Sequence, residues 1–246
     1  MKKLKVLNKD LTSPFQSFQY EIGKEYVCDD FDDNPDHECS IGFYATDIEG
    51  LPYSWNINMR AFEVEVDGRS VIIDQYKQRF EKQTIIRELS KDDLITLAKA
   101  KEKELGYILS EVLFPFNPLQ VQTGGVTDRE VELLKQWASV GASVWVSVGA
   151  SVWASVWVSV WASVGVSVWA SVGASVGASV WASVGAYISS LFPHIQKWEY
   201  IDHKEGVNPF QSGIDLWKSG FTTSFDGKTW RLHTGLDAKI VYELKN

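Results

Sequence analysis

With two cysteines in 246 residues, Cys28 and Cys39, the chain has too few for a disulfide framework, which excludes the small secreted scaffolds that depend on one. The opening MKKLKVLNKDL is basic but is followed by no apolar run of signal-peptide length, so the sequence predicts a cytoplasmic protein with reduced thiols. A nucleic-acid footprint is also missing. The net charge is −8, and residues 1–137 supply all of it, so direct nucleic-acid binding is not expected. HExxH and P-loop patterns do not occur, and no cofactor is implied. Between Lys135 and Lys197 there is no charged side chain at all. Even so, a serine at every fourth position dilutes that stretch below a spanning segment, and no basic flank marks an inside face, so no membrane contact is predicted.

The uncharged stretch is where the sequence is most ordered. Residues 138–185 are twelve tandem copies of [Ala/Val]-Ser-Val-[Gly/Trp], with the Ser and the second Val invariant. A helix is the weaker reading, since Val, Ser and Gly are poor helix formers and a period of four drifts off one helical face. A period of four is twice the strand period, which places Ala and Val on one face and Ser with Gly/Trp on the other. A slot alternating between Gly and Trp does not suit a tight interior, so the tryptophans are expected to point outward. Together these predict a short parallel β-solenoid.

The unit resembles that of pentapeptide-repeat proteins. Ala138, Ser139 and Val140 match the small inward, polar outward and large inward slots, and Gly141 is the sole variable residue, so one position of the family's unit is missing. The resemblance implies a stacked coil. With three units per coil, Trp145, Trp157, Trp169 and Trp181 form one column, an uncharged binding surface for a partner protein or a second copy of the chain.

The flanks carry helix and strand signals. Thr127-Asp128-Arg129-Glu130 is a capping box opening a helix that leads into the repeat, and Ser90-Lys91-Asp92-Asp93 opens another to about Leu105, ended by Gly106. Ala61-Phe62-Glu63-Val64-Glu65-Val66 alternates as a half-buried strand with Glu63 and Glu65 outward, followed by a turn at Asp67-Gly68 and a second run at Val71-Ile72-Ile73. In the tail, runs at 197–201, 228–233 and 238–243 read as strands, with a turn at Asp226-Gly227. The predicted fold is therefore mainly β with some α. It comprises an α+β domain over 1–126, a capping helix at 127–137, the solenoid at 138–189 and a β-rich domain at 190–246. FQYEIGKEY (18–26), GFYATDIEGL (42–51) and FEVEV resemble an uncharacterised bacterial and phage domain that precedes repeat arrays, over roughly the first 90 residues.

Chemical candidates are sparse. Cys28, His37 and Cys39 lack zinc-finger spacing, and DDFDDNPDHE lacks the EF-hand pattern, so no metal is predicted. His194, His203 and His233, with Asp202, Asp215, Asp226 and Ser224, could supply acid–base chemistry, but ordinary surface and turn positions are the stronger reading of them. Gly124-Gly125 reads as a linker. The expectation is a non-enzymatic binding or scaffolding protein of bacterial or phage type. The alternatives are an ADP-ribosyltransferase-like enzyme seated in the N-terminal domain, suggested by GFYATD, and a virion or host-interaction component.

Overall fold

The computed structural model describes residues 1–55, 59–152 and 180–245. They form two compact units, Met1–Glu104 and Leu105–Asn246.

The first unit is an antiparallel sheet. Strand β1 (Lys2–Leu7) pairs with β4 (Arg60–Asp74), which turns at Gln75-Tyr76 into β5 (Lys77–Glu88). The far edge of β5 is shared end to end by β2 (Glu25–Val27) and β3 (Phe43–Ala45). Alternation along β4 sends Phe62, Val64 and Val66 into a core with Leu7, Tyr20, Ala45, Phe80 and Ile85, while Glu65 is exposed and Glu63 pairs with Lys2 and Arg87. Asp67-Gly68 is not a turn. The strand runs straight through it, and the extra residue is absorbed as a bulge, with Gly68 at φ +76°. Beyond β3 the sheet curls back, and Leu4 and Thr46 exchange backbone hydrogen bonds at 2.8 and 2.9 Å. Helix α1 (Lys91–Leu105) starts where its box predicts. Ser90 N–H donates to Asp93 at 2.9 Å, Asp93 N–H donates back to Ser90 Oγ at 3.1 Å, and Gly106 at φ +76° ends the helix.

In the second unit the predicted solenoid is overturned. Both sheets of the described residues are antiparallel, and the described parts of the repeat, 138–152 and 180–185, are largely helical. The units at 153–179 lie outside the described residues. After α2 (Leu109–Leu113), the Thr127–Glu130 box opens α3 (Asp128–Val140), which runs into the first unit of the repeat. Helices α4 (Val144–Ser151) and α5 (Trp181–Ser190) are built from later units.

The invariant valine explains the helical outcome. Val144, Val148 and Val152 are buried in one stretch, as are Val180, Val184 and Ile188 in the other. A spacing of four makes a ridge along a helix that drifts by only about 40° per unit, which two or three units tolerate. Weak propensity then costs a few tenths of a kcal/mol per residue, which tertiary burial overrides. Serine does not simply face outward either, because Ser147 and Ser183 are buried. The likeness to pentapeptide-repeat proteins therefore does not extend to the fold, and the chain is mixed α and β.

Helix α6 (Gln211–Lys218) and a three-stranded sheet complete the unit. Strands β6 (Thr222–Phe225), β7 (Thr229–Thr234) and β8 (Lys239–Lys245) follow one another antiparallel, and β7 and β8 match the predicted runs. The run at 197–201 forms no strand. Trp137, fully buried on α3, donates from Nε1 to Thr223 Oγ1 at 2.9 Å, and Ser183 Oγ lies 2.7 Å from the same hydroxyl.

Gly213 on α6 makes room for the Trp137 ring, for a Cβ there would stand 2.6 Å from Cε3 and Cζ3. In an open helix Gly→Ala stabilises by up to about 1 kcal/mol. Here the clash is expected to reverse the sign, with Gly213→Ala costing roughly 1–3 kcal/mol in urea denaturation followed by tryptophan fluorescence. A variant as stable as the wild type would refute the close packing.

Candidate functional site

The first unit holds a pocket of about 390 Å³ at the curl of its sheet, between β1, β3 and the β4–β5 turn. Its inner wall includes Tyr20 and Ala45, both members of the buried core. Asp74, Tyr76, Lys77 and Cys39 also line it, and so does Phe15, which is 89 % exposed. An aromatic ring left in water at the edge of an apolar cavity gains burial when the cavity is filled. The volume falls in the range of small-molecule sites.

Lys5 distinguishes this pocket from a packing defect. Its neighbours Lys2 and Lys3 each hold a carboxylate, Glu63 at 2.6 Å and Asp47 at 2.5 Å. Lys5 is 7 % exposed, lines the pocket, and has no carboxylate in ion-pair range among the described residues. Its Nζ donates to the Tyr44 carbonyl at 2.8 Å and lies 4.7 Å from the centre of the Tyr20 ring. A carbonyl and a ring face compensate a buried ammonium poorly, and desolvation pushes Lys5 down to about 7. Near neutrality it is therefore partly a free amine. Burial pushes the Tyr20 phenol in the opposite direction, upward.

Arg79 holds the outer wall. It is fully buried on β5 and donates to the carbonyls of His37 at 2.7 Å and Asn34 at 2.8 Å and to the Tyr44 hydroxyl at 3.1 Å. Gly42 lets it pass, since a Cβ there would meet Arg79 Cγ at 2.6 Å. The acidic loop is thus wrapped around a cation from its own unit. A hydrogen bond from the Ser40 side chain, with Asn34 N–H at 2.9 Å and His37 Nδ1 at 2.7 Å, holds the Asp32 carboxyl well below the usual range.

Cys28, His37 and Cys39 are not gathered, and among the described residues no three His, Cys, Asp or Glu side chains are set to hold a metal ion. Cys39 lies near Lys77 Nζ at 3.6 Å, whereas the Cys28 thiol is pushed up by burial and by Asp30. Of the tail candidates the structure joins one pair. Ser224 Oγ lies 2.7 Å from His233 Nε2, and His233 Nδ1 lies 2.9 Å from the Ala238 carbonyl. A carbonyl can only accept, so Nδ1 carries the proton and Nε2 accepts from the serine. Both residues are buried, and desolvation holds His233 below its ordinary value, so the pair serves as a neutral tie between β6 and β7.

The other candidates have local roles. Asp226 caps the hairpin through Lys228 and Thr229, His203 accepts from Trp198 N–H, Asp215 accepts from Gln211, and Asp202 is exposed. His194 packs edge-on to Phe192. Of the proposed tryptophan surface, Trp145 and Trp181 meet edge-on at 5.8 Å, with Trp145 40 % exposed, while Trp157 and Trp169 lie outside the described residues. That contact joins two helices and not two coils. No helix among the described residues is long and apolar enough to cross a membrane.

Sequence reasoning missed Lys5, reading it as part of a basic opening. The available signal was a lysine inside Leu4-Lys5-Val6-Leu7, a run buried without a break.

Sheet and pocket together define the first unit as a small antiparallel-sheet domain with a cavity beside a buried lysine. Residues 1–97, less than half of the chain, match a family described as a domain of unknown function (DUF7666), a stretch that contains every residue lining the pocket. No curated protein and no solved structure matches the chain.

Proposed function

We propose that the protein is a binding protein whose N-terminal unit takes a small, flat, largely apolar molecule with one polar end beside Lys5. The observation that carries this reading is a buried lysine with no carboxylate in ion-pair range among the described residues, lining an aromatic pocket of about 390 Å³. Leaving a lysine there costs stability that a purely structural position would not keep. Tyr20 and Phe15 offer ring faces for the flat body, and Lys5 offers an amine or ammonium for the polar end. A cytoplasmic location belongs to the same reading, because Cys28 and Cys39 are free thiols.

Cys39 provides the test, because it lines the pocket and Cys28 does not. One- and two-ring compounds bearing an alcohol, carboxylate or carbonyl are added at millimolar concentration, and alkylation of each thiol is followed by mass spectrometry. Members of the set are expected to slow Cys39 severalfold while leaving Cys28 unchanged. If no compound in the set alters the Cys39 rate, the reading fails.

A further inference from the structure

We propose that Lys5 captures carbonyl compounds covalently, condensing through Nζ with an aldehyde or ketone seated in the pocket. This rests on the pocket being a ligand site and goes further, since it names the reacting atom and the functional group of the ligand. The support is geometric first. Nζ is held at 2.8 Å by the Tyr44 carbonyl and faces the Tyr20 ring at 4.7 Å, two groups that orient the amine without supplying a negative charge to keep it protonated. Lys2 and Lys3 on the same strand each pair with a carboxylate, Glu63 and Asp47. The neighbouring cavity is large enough for a one- or two-ring molecule, and its walls are mostly apolar or aromatic.

The chemistry balances with no further reactant. The Nζ lone pair adds to the carbonyl carbon and a C–N bond forms. The carbonyl oxygen takes up a proton, and the nitrogen gives one up, which yields a carbinolamine. Loss of that oxygen as water then leaves an imine. Nothing is oxidised or reduced, and water reverses the step. A flat aromatic aldehyde suits the pocket best, because the Tyr20 and Phe15 rings can meet its ring while the carbonyl reaches Nζ. Desolvation of Lys5 acts in the same direction by leaving a large share of its amine neutral at pH 7, where a solvated lysine is almost wholly protonated.

The test uses the full chain with benzaldehyde and sodium cyanoborohydride at pH 7, which fixes any imine as a benzyl amine, followed by digestion and mass spectrometry. Modification of Lys5 is expected to outpace that of any other lysine by on the order of tenfold or more, given its larger neutral fraction. The Lys5 adduct should be absent from Lys5→Met and from Lys5→Arg, the second of which keeps the charge but cannot form an imine under these conditions. The main measurement is made on the wild type, so it does not depend on how either variant folds. Benzyl alcohol, which fits the same space and cannot condense, is run in parallel with Cys39 protection as its readout. Protection by benzyl alcohol without preferential modification of Lys5 overturns covalent capture and leaves the binding site standing. Absence of both overturns the two readings together.

Discussion

Replacing Lys5 with methionine is expected to stabilise the protein by about 3 kcal/mol at pH 7 while removing the polar recognition group of the pocket. The sign follows from linkage. Lys5 has a folded value of about 7 against an unfolded value of 10.5, so between those limits the unfolded chain holds the extra proton. Wild-type stability should therefore rise with pH from about 7 towards 10.5, by as much as roughly 5 kcal/mol in total. Below pH 7 both states are charged and this contribution is flat at its least favourable level. The methionine variant lacks the slope, so its advantage should be largest at and below pH 7 and should shrink as pH rises. Above pH 10 the buried phenols of Tyr20 and Tyr187, both pushed up, act in the other direction, so pH 6 to 9.5 is the informative window. Urea midpoints of the two proteins across that window decide the matter. Parallel curves would mean that Lys5 is charged in the folded protein and compensated.

The second large effect is expected at Arg79. Arg79→Met keeps much of the apolar stem and removes the guanidinium, leaving the His37 and Asn34 carbonyls without their Arg79 donor, while the Tyr44 hydroxyl keeps only the Ser40 N–H. Hydrogen bonds from a charged donor contribute about 1.5–3 kcal/mol each, and losses within one network are not additive, so a net cost of roughly 3 kcal/mol is expected. The loss should be local before it is global. Residues 29–42 are pinned through Arg79, and their proteolytic cleavage should speed up under conditions where the sheet stays folded. An unchanged urea midpoint together with unchanged cleavage would show that the loop is held by other contacts.

These two side chains mark the limit of a linear reading. Helix starts were legible because capping is local. Thr127 with Glu130 and Ser90 with Asp93 satisfy backbone groups within one turn, and the structure shows both. The β4 core face was legible from alternation, since a strand's period does not depend on its partners. The pocket was not legible, because the groups that define it come from β1, β3 and the β4–β5 turn and meet only when the sheet curls. The acidic loop was not legible by itself, since nothing in its six carboxylic acids points to the charge that organises it, Arg79, more than forty positions away.

The absences that came first hold a similar lesson. A charge-free repeat with an invariant valine in every unit predicts a buried valine face, which Val144, Val148, Val152, Val180 and Val184 show, and leaves no charged side chain to pair there. It does not determine the conformation, since a spacing of four suits alternate positions of a strand and one ridge of a short helix alike. Tertiary packing decided between them. Val144 lies against Gly185 across α4 and α5, where a Cβ would stand 3.4 Å away, and Trp137 fits against Gly213 of α6. Burying large side chains against glycine outweighs the preference of Val for strand and the weak helix propensity of Ser, and only the folded chain brings those glycines within reach.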